Sequence, residues 1–298
     1  MGPEILEPLA AGYAALPPYE DGQHIDDQRR PLHAMLASVR EQVTPYPTVD
    51  VEDVSVPGPA GDLTLRVYRP RTPSTTRPGV YLIHGGAMVL GNLDFDHLPA
   101  LMLCEITEAV IVSVDYRLAP EHPYPAALDD CIAGLRWMGR HATILEINED
   151  RLAMFGLSAG GGLALATALR VRDEGGPELC FIMAPYPMID DRPHLAAQDL
   201  IALAWEPYLG GREADRYAAP SREVDLTALP PTFIDVGDQD LFLHEAVDYA
   251  ARLMQAGVST ELHVYPGADH ASEIFDPSLS LSRQIWDARF SALARALS

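Results

Sequence analysis

The chain has 298 residues, with 21 Lys and Arg against 43 Asp and Glu, for a formal charge of −22 at pH 7. So acidic a surface repels phosphate backbones and anionic membranes, which argues against a nucleic-acid partner. A hydrophobic fraction of 48% supplies enough apolar area for one large α/β domain or two small ones. The cysteines, Cys104, Cys131 and Cys180, are odd in number and form no C-x-x-C pair. Neither a structural zinc site nor a disulfide framework is expected, and all three read as buried small hydrophobes. Met1-Gly2-Pro3-Glu4 shows no basic region and no following apolar core, so the expected location is cytoplasmic, without a signal peptide.

Two amphipathic helical patterns open the chain. Ile5, Leu6, Leu9 and Tyr13 share a face in the first, and Leu32, Met35, Leu36 and Val39 share one in the second. Pro17-Pro18 and the polar stretch from Asp21 to Gln28 predict a loop between them. No strand accompanies these helices, so they must cover a surface elsewhere, as a packing arm or as part of a lid. Pro45-Tyr46-Pro47 ends the second helix. Val51 to Val56 and Leu63 to Tyr68 then alternate around Gly58-Pro59-Ala60-Gly61, which predicts a β-hairpin.

From Val80 the pattern changes. Val80 to Ile83 and Ala109 to Val114 are nearly continuous apolar runs, the type expected of parallel strands buried on both faces. A helical segment, Leu98 to Glu108, lies between them, and Ala126 to Arg140 is the next helix. Leu152 to Phe155, Leu179 to Met183, Pro231 to Val236 and Glu261 to Tyr265 read as further strands, with helices over Gly161 to Arg170, Glu245 to Ala256 and Leu279 to Leu297. Strands alternating with helices predict a doubly wound, mostly parallel sheet, to which the hairpin adds an antiparallel edge. Pro185 to Leu229 breaks the alternation, with a helical stretch from Leu195 to Trp205, and an excursion of this length is usually functional.

The most informative stretch is Gly156-Leu157-Ser158-Ala159-Gly160. Such strings arise by chance in Gly- and Ala-rich chains; a strand before it and a helix after it give this one weight. That context strains the serine backbone and holds its hydroxyl at the carboxyl end of the sheet, beside a helix N-terminus. The uncharged run from Leu152 to Leu169 approaches the length of a membrane helix, but four glycines interrupt it, so membrane insertion is not expected.

A nucleophilic serine needs a base, a group that orients the base, and donors for an oxyanion. In the order serine, acid, histidine, Asp240 follows the strand ending at Val236, and His270 follows the strand ending at Tyr265. Both emerge on the same rim as Ser158. Asp238 is the rival acid and Asp269 a more distant one; His263 lies within a strand and reads as a packed sheet residue. His84-Gly85-Gly86-Ala87 ends the Val80 strand, where an H-G-G-G type oxyanion loop belongs, although a plain Gly-Gly turn would read the same way. Gly85, Gly86 and Ala159 are the candidate oxyanion donors. No H-E-x-x-H, Walker or dinucleotide-binding pattern occurs, so neither a metal nor a cofactor is expected.

The His84-Gly85-Gly86 turn, the run Asp115-Tyr116-Arg117-Leu118-Ala119-Pro120-Glu121-His122-Pro123, the Ser158-Ala159-Gly160-Gly161 elbow, and Asp240 and His270 in their flanks together resemble the bacterial branch of the hormone-sensitive-lipase family of α/β-hydrolase carboxylesterases. The resemblance implies an α/β-hydrolase fold with helices on both faces of the sheet and a helical cap. Residues 1–45 would form the N-terminal cap and 46–298 the catalytic domain, with a second cap piece inserted at about 186–229. It also implies a small-molecule ester with a short to medium acyl chain, dimerisation in many members, and a structural role for the Tyr116 to Glu121 run. Two departures stand out: Ala87 replaces the usual third glycine, and Leu157 replaces the usual Asp before the serine. Ala87, Met88, Leu157 and Trp205 are the candidate pocket residues. The leading expectation is a serine carboxylesterase. A lactonase, amidase or acyltransferase built on the same triad is the alternative, and a non-catalytic ligand receptor is a remote one.

Overall fold

The computed structural model describes residues 3–16, 24–43, 45–74, 76–192 and 198–298. In chain order the elements are α1 (Glu7–Ala14), α2 (Ile25–Val43), β1 (Val49–Gly58), β2 (Gly61–Pro70), β3 (Arg77–Ile83), α3 (His97–Thr107), β4 (Val110–Val114), α4 (Ala126–Arg140), α5 (Ala142–Leu145), β5 (Ile147–Gly156) and α6 (Ala159–Glu174). There follow β6 (Phe181–Met183), α7 (Gln198–Leu209), β7 (Thr232–Gly237), α8 (Leu243–Gln255), β8 (Thr260–Tyr265), α9 (Ser272–Phe275) and α10 (Ser280–Ala296). The predicted start of the Leu195 helix and the Pro17-Pro18 turn fall outside the described residues. The predicted polar loop is shorter than expected, because α2 already begins at Ile25.

The strands form one eight-stranded sheet in the order β1-β2-β4-β3-β5-β6-β7-β8. β1, β2 and β4 pair antiparallel, and every pair from β4 to β8 is parallel. The order reverses around β3. The chain crosses from β3 to β4 in one direction and from β4 over β3 to β5 in the other. Right-handed crossovers therefore send α3 and α4 to opposite faces of the sheet. α3 packs with α10, and α4 packs with α6. With both faces covered, β3 and β4 have no polar side: Val80, Tyr81, Leu82, Ile83, Ile111, Val112 and Val114 are all sealed from solvent. β8 is the exposed edge, which explains its mixed sequence. Cys104 and Cys131 are buried as expected; Cys180 is only partly so, because it lies just before the short β6.

One buried charge cluster ties the C-terminal helix to the sheet. Arg289 of α10 donates to both carboxylate oxygens of Asp235 in β7, at 2.7 and 2.9 Å, and to Glu273 of α9 at 2.7 Å. Tyr186 donates to the same Glu273 oxygen at 2.5 Å. Arg289, Asp235 and Glu273 are each no more than 2% exposed at the side chain. Breaking such a cluster from one side strands the remaining charges in the interior. Arg289→Met is therefore expected to cost roughly 3–5 kcal/mol of stability, to be read from denaturant unfolding at neutral pH. A change within 1 kcal/mol would show that the carboxylates do not depend on this cation.

Candidate active site

The sharp turn at Ser158 follows from close packing of β5 against α6. A Cβ at Gly156 would overlap the Gly160 carbonyl, and one at Gly160 would overlap the Ile83 carbonyl of the neighbouring strand. Only glycine lets the helix start so near the sheet. Ser158 itself takes φ 56° and ψ −118°, a conformation that costs an L-residue about 1–3 kcal/mol. Surrounding bonds hold it there. The Ser158 N–H donates to Pro185 O at 3.1 Å, and Ser158 O accepts from Gly162 at 3.0 Å and Met188 at 3.1 Å. The side chain thus projects from the N-terminus of α6, at the carboxyl end of the sheet next to the order reversal.

His270 and Asp240 leave the sheet on the same rim, after β8 and β7. His270 Nε2 lies 3.0 Å from Ser158 Oγ, and His270 Nδ1 lies 2.9 Å from Asp240 Oδ2. The other Asp240 oxygen accepts the Phe242 N–H at 2.9 Å, so the carboxylate is fixed at both ends. Its side chain has no solvent exposure, whereas that of His270 is 26% exposed. The edges and faces of Tyr186 and Phe242 hold the imidazole, with ring centroids 4.8 and 5.2 Å away. The rival acids are turn residues: Asp238 accepts the Gly267 N–H at 2.7 Å, and Asp269 accepts the His270 N–H at 2.7 Å. His263 remains in β8, 2.8 Å from Glu261.

Above this line lies a cavity of about 220 Å³, walled mostly by apolar groups. Leu9 and Tyr13 of α1, Phe95, Tyr186, Phe242 and Phe275 form much of its surface. Gly85, Gly86, Ala87 and Leu157 are also in the wall. The Gly86 carbonyl accepts from Val89 at 3.0 Å and Leu90 at 2.7 Å, folding the turn tightly, and Gly86, Ala87 and Met88 all have positive φ. Tyr116 stacks on His84 at 4.0 Å and donates to the His84 carbonyl at 2.9 Å, which fixes the root of this turn. Burial pushes the His84 imidazole down to about 4, so it is neutral near pH 7.

Two pocket expectations need correction. Met88 lies outside the wall: it is 1% exposed and packed inward, and its carbonyl accepts the Ala119 N–H at 3.0 Å. Trp205 is 3% exposed and packs edge-on against Tyr208, while its neighbour Ala204 reaches the cavity. The Tyr116 to Glu121 run pins charges as expected. Arg117 grips Asp130 at 2.8 and 2.9 Å, and Arg29 of α2 bonds Glu121 at 2.7 and 3.0 Å and the Val89 and Ala119 carbonyls. Phe242, Ala271 and Ile274 also line the cavity, and the signal for them is their place just after Asp240 and His270, which puts them on the rim. Leu9 and Tyr13 belong to the apolar face of the first helical pattern, which covers the cavity; Asp96 gives no local signal.

A mostly parallel, doubly wound sheet with Ser, His and a buried Asp joined in one line at its carboxyl rim defines an α/β-hydrolase. The comparisons agree: the model of the alpha/beta hydrolase fold matches residues 80–273. The chain is 35% identical over 255 residues to "Esterase LipI" of Mycobacterium tuberculosis, covering 80% of this chain and 79% of that protein. It is 37% identical over 284 residues to "Carboxylesterase NlhH" of the same organism, covering 88% of each. The crystal structure of esterase LipW from Mycobacterium marinum superposes with a TM-score of 0.88 at 36% identity, covering 99% of this chain and 96% of that one. The chain belongs to the α/β-hydrolase fold family, in its hormone-sensitive-lipase type.

The two acids separate in a single experiment. Asp240→Asn removes the acceptor that fixes the imidazole tautomer and is expected to lower kcat for a p-nitrophenyl ester by roughly 10⁴-fold. Asp238→Asn is expected to stay within about threefold of the parent, since it touches only a turn. The reverse ranking would assign the acid to Asp238.

Proposed function

We propose that Ser158 is the nucleophile, His270 the general base and then the general acid, and Asp240 the group that orients the imidazole. The enzyme is a serine hydrolase of carboxylic esters. In the proposed cycle Ser158 Oγ attacks the ester carbonyl carbon as His270 Nε2 takes the hydroxyl proton. The tetrahedral oxyanion is held by the Ala159 N–H, at the start of α6, and by the Gly86 amide; the Gly85 amide, also expected as a donor, is instead engaged by the Asp96 carboxyl. One such donor is typically worth about 3 kcal/mol of barrier. Collapse breaks the bond to the alkoxy oxygen, which leaves as the alcohol with the proton from His270. Water, deprotonated by His270, then attacks the acyl-enzyme and releases the carboxylic acid and the free serine.

The continuous line of 2.9 and 3.0 Å from Asp240 through His270 to Ser158 carries this reading. Filled positions at all three places leave the non-catalytic receptor without support. The modest apolar cavity supports short to medium acyl chains, and the charge of −22 supports a small-molecule substrate over a nucleic acid. The positions of Leu9 and Tyr13 in the wall support a cap role for the N-terminal helices, and Ala204 supports one for the insertion at about 186–229. Among the described residues, no helix is long and apolar enough to cross a membrane.

A fluorophosphonate probe is expected to add covalently to Ser158 and to no other serine, as read by peptide mass mapping. Ser158→Ala should abolish both the adduct and cleavage of p-nitrophenyl butanoate, with the unfolding transition intact. Activity retained in that variant would overturn the assignment. Parallel rates on ester, lactone and amide probes would decide among the chemistries the same groups can perform.

A further inference from the structure

Among the described residues, the cavity wall holds one carboxyl group, and the reaction described above does not use it. Asp96 sits in its wall, only 3% exposed, among Tyr13, Phe95, Pro99 and Leu90. Its Oδ2 has no hydrogen-bond partner among the described residues. Asp96 immediately precedes α3, where an aspartate ordinarily caps the helix, yet its side chain makes no capping bond. Among the described residues, no Arg lines the cavity. The Gly85 amide donates to this carboxyl group, but an oxygen left without a donor is costly to bury, and a partner arriving from outside would offset that cost.

We propose that Asp96 is an anchor for a protonated amine on the substrate, so that the cavity selects aminoalkyl esters over their uncharged carbon isosteres. This rests on the reading that the ester binds in the cavity at Ser158. A cation fits better than a neutral hydroxyl for two reasons. It supplies both the missing hydrogen-bond donor and the missing counter-charge, and a charge-assisted bond is about twice as strong as a neutral one. The net charge of −22 also concentrates cations at the surface before they enter. The acidic groups elsewhere on the surface would attract any cation, however. The specific role therefore has to be tested at Asp96 itself.

Burial pushes the Asp96 carboxyl up to about 7, against a smaller opposing effect of the Gly85 amide. Selectivity for the amine is therefore expected to grow as pH rises through neutrality and the carboxylate forms. The other groups near it do not share that transition. Tyr13 and Tyr116 are driven well above the usual tyrosine range by burial. His84 and His97 are pushed down to about 4, and Arg66 beyond them stays charged throughout. His270 serves both kinds of substrate alike and cancels in a ratio.

The test compares 2-(dimethylamino)ethyl butanoate with its carbon isostere, 3-methylbutyl butanoate, by kcat/KM on the parent protein and on Asp96→Asn. The expected result is a preference for the amine ester in the parent of roughly tenfold or more, equivalent to one charge-assisted contact. The preference should increase from pH 6 to pH 8 and fall close to one in Asp96→Asn. A parent ratio at or below one, a ratio that does not change with pH, or the same ratio in both proteins would each overturn the proposal. The pH series needs no variant and stands if Asp96→Asn fails to fold. The neutral ester separates two failures. Its hydrolysis without amine preference overturns only the role of Asp96, whereas no hydrolysis of either ester sinks the serine-esterase reading and this proposal with it.

Discussion

The hydrogen bond between Asp240 and His270 is the interaction on which the site depends. An imidazole can receive a proton from Ser158 at one nitrogen only if the other nitrogen carries its own proton and is held in place. Asp240 meets both conditions. It is shut off from water, tied to the Phe242 amide through one oxygen, and 2.9 Å from His270 Nδ1 through the other. In the proposed mechanism, with no solvent to compete, that carboxylate would fix the tautomer and favour the imidazolium formed as the serine attacks.

The fold makes this contact between residues that are distant in sequence. Three loops leave β5, β7 and β8 at one end of a parallel sheet, so Ser158, Asp240 and His270 share a rim because their strands run in the same direction. The glycines around Ser158 let α6 start close against the sheet. The Asp235, Arg289 and Glu273 cluster sits beneath the loop carrying His270, and Tyr186 links it to the imidazole by packing edge-on at 4.8 Å. At the other end of the chain, Arg29 fastens α2 to the Val89 and Ala119 carbonyls, which places the N-terminal helices where Leu9 and Tyr13 can close the cavity.

Most of this architecture was legible in the sequence, for identifiable physical reasons. Two-sided apolar runs such as Val80 to Ile83 can only be central strands, and Gly156 and Gly160 flanking Ser158 leave few alternatives to a tight elbow. Asp240 and His270 were legible because each follows a strand directly. The pocket was less so. Met88, beside the His84-Gly85-Gly86 turn, and Trp205, in the long excursion, are large and apolar, but their side chains turn into the core, a matter of backbone direction that sequence spacing does not encode. The Met88 backbone has φ 61°, which redirects the chain at that point. Asp96 was invisible because, before a helix, an aspartate reads as an ordinary cap; only the packed structure shows that its carboxyl makes no capping bond.

If Ser158 and His270 act as one unit, a double-mutant cycle shows it directly. The parent, Ser158→Ala, His270→Ala and the double variant would be compared by kcat/KM on one short-chain p-nitrophenyl ester, with folding checked for each. The double variant is expected to be about as slow as either single variant, because removing one member already disables the other. Losses that multiply, each substitution costing its full factor in the presence of the other, would mean that the two side chains work independently and that the proposed triad is not the catalytic unit.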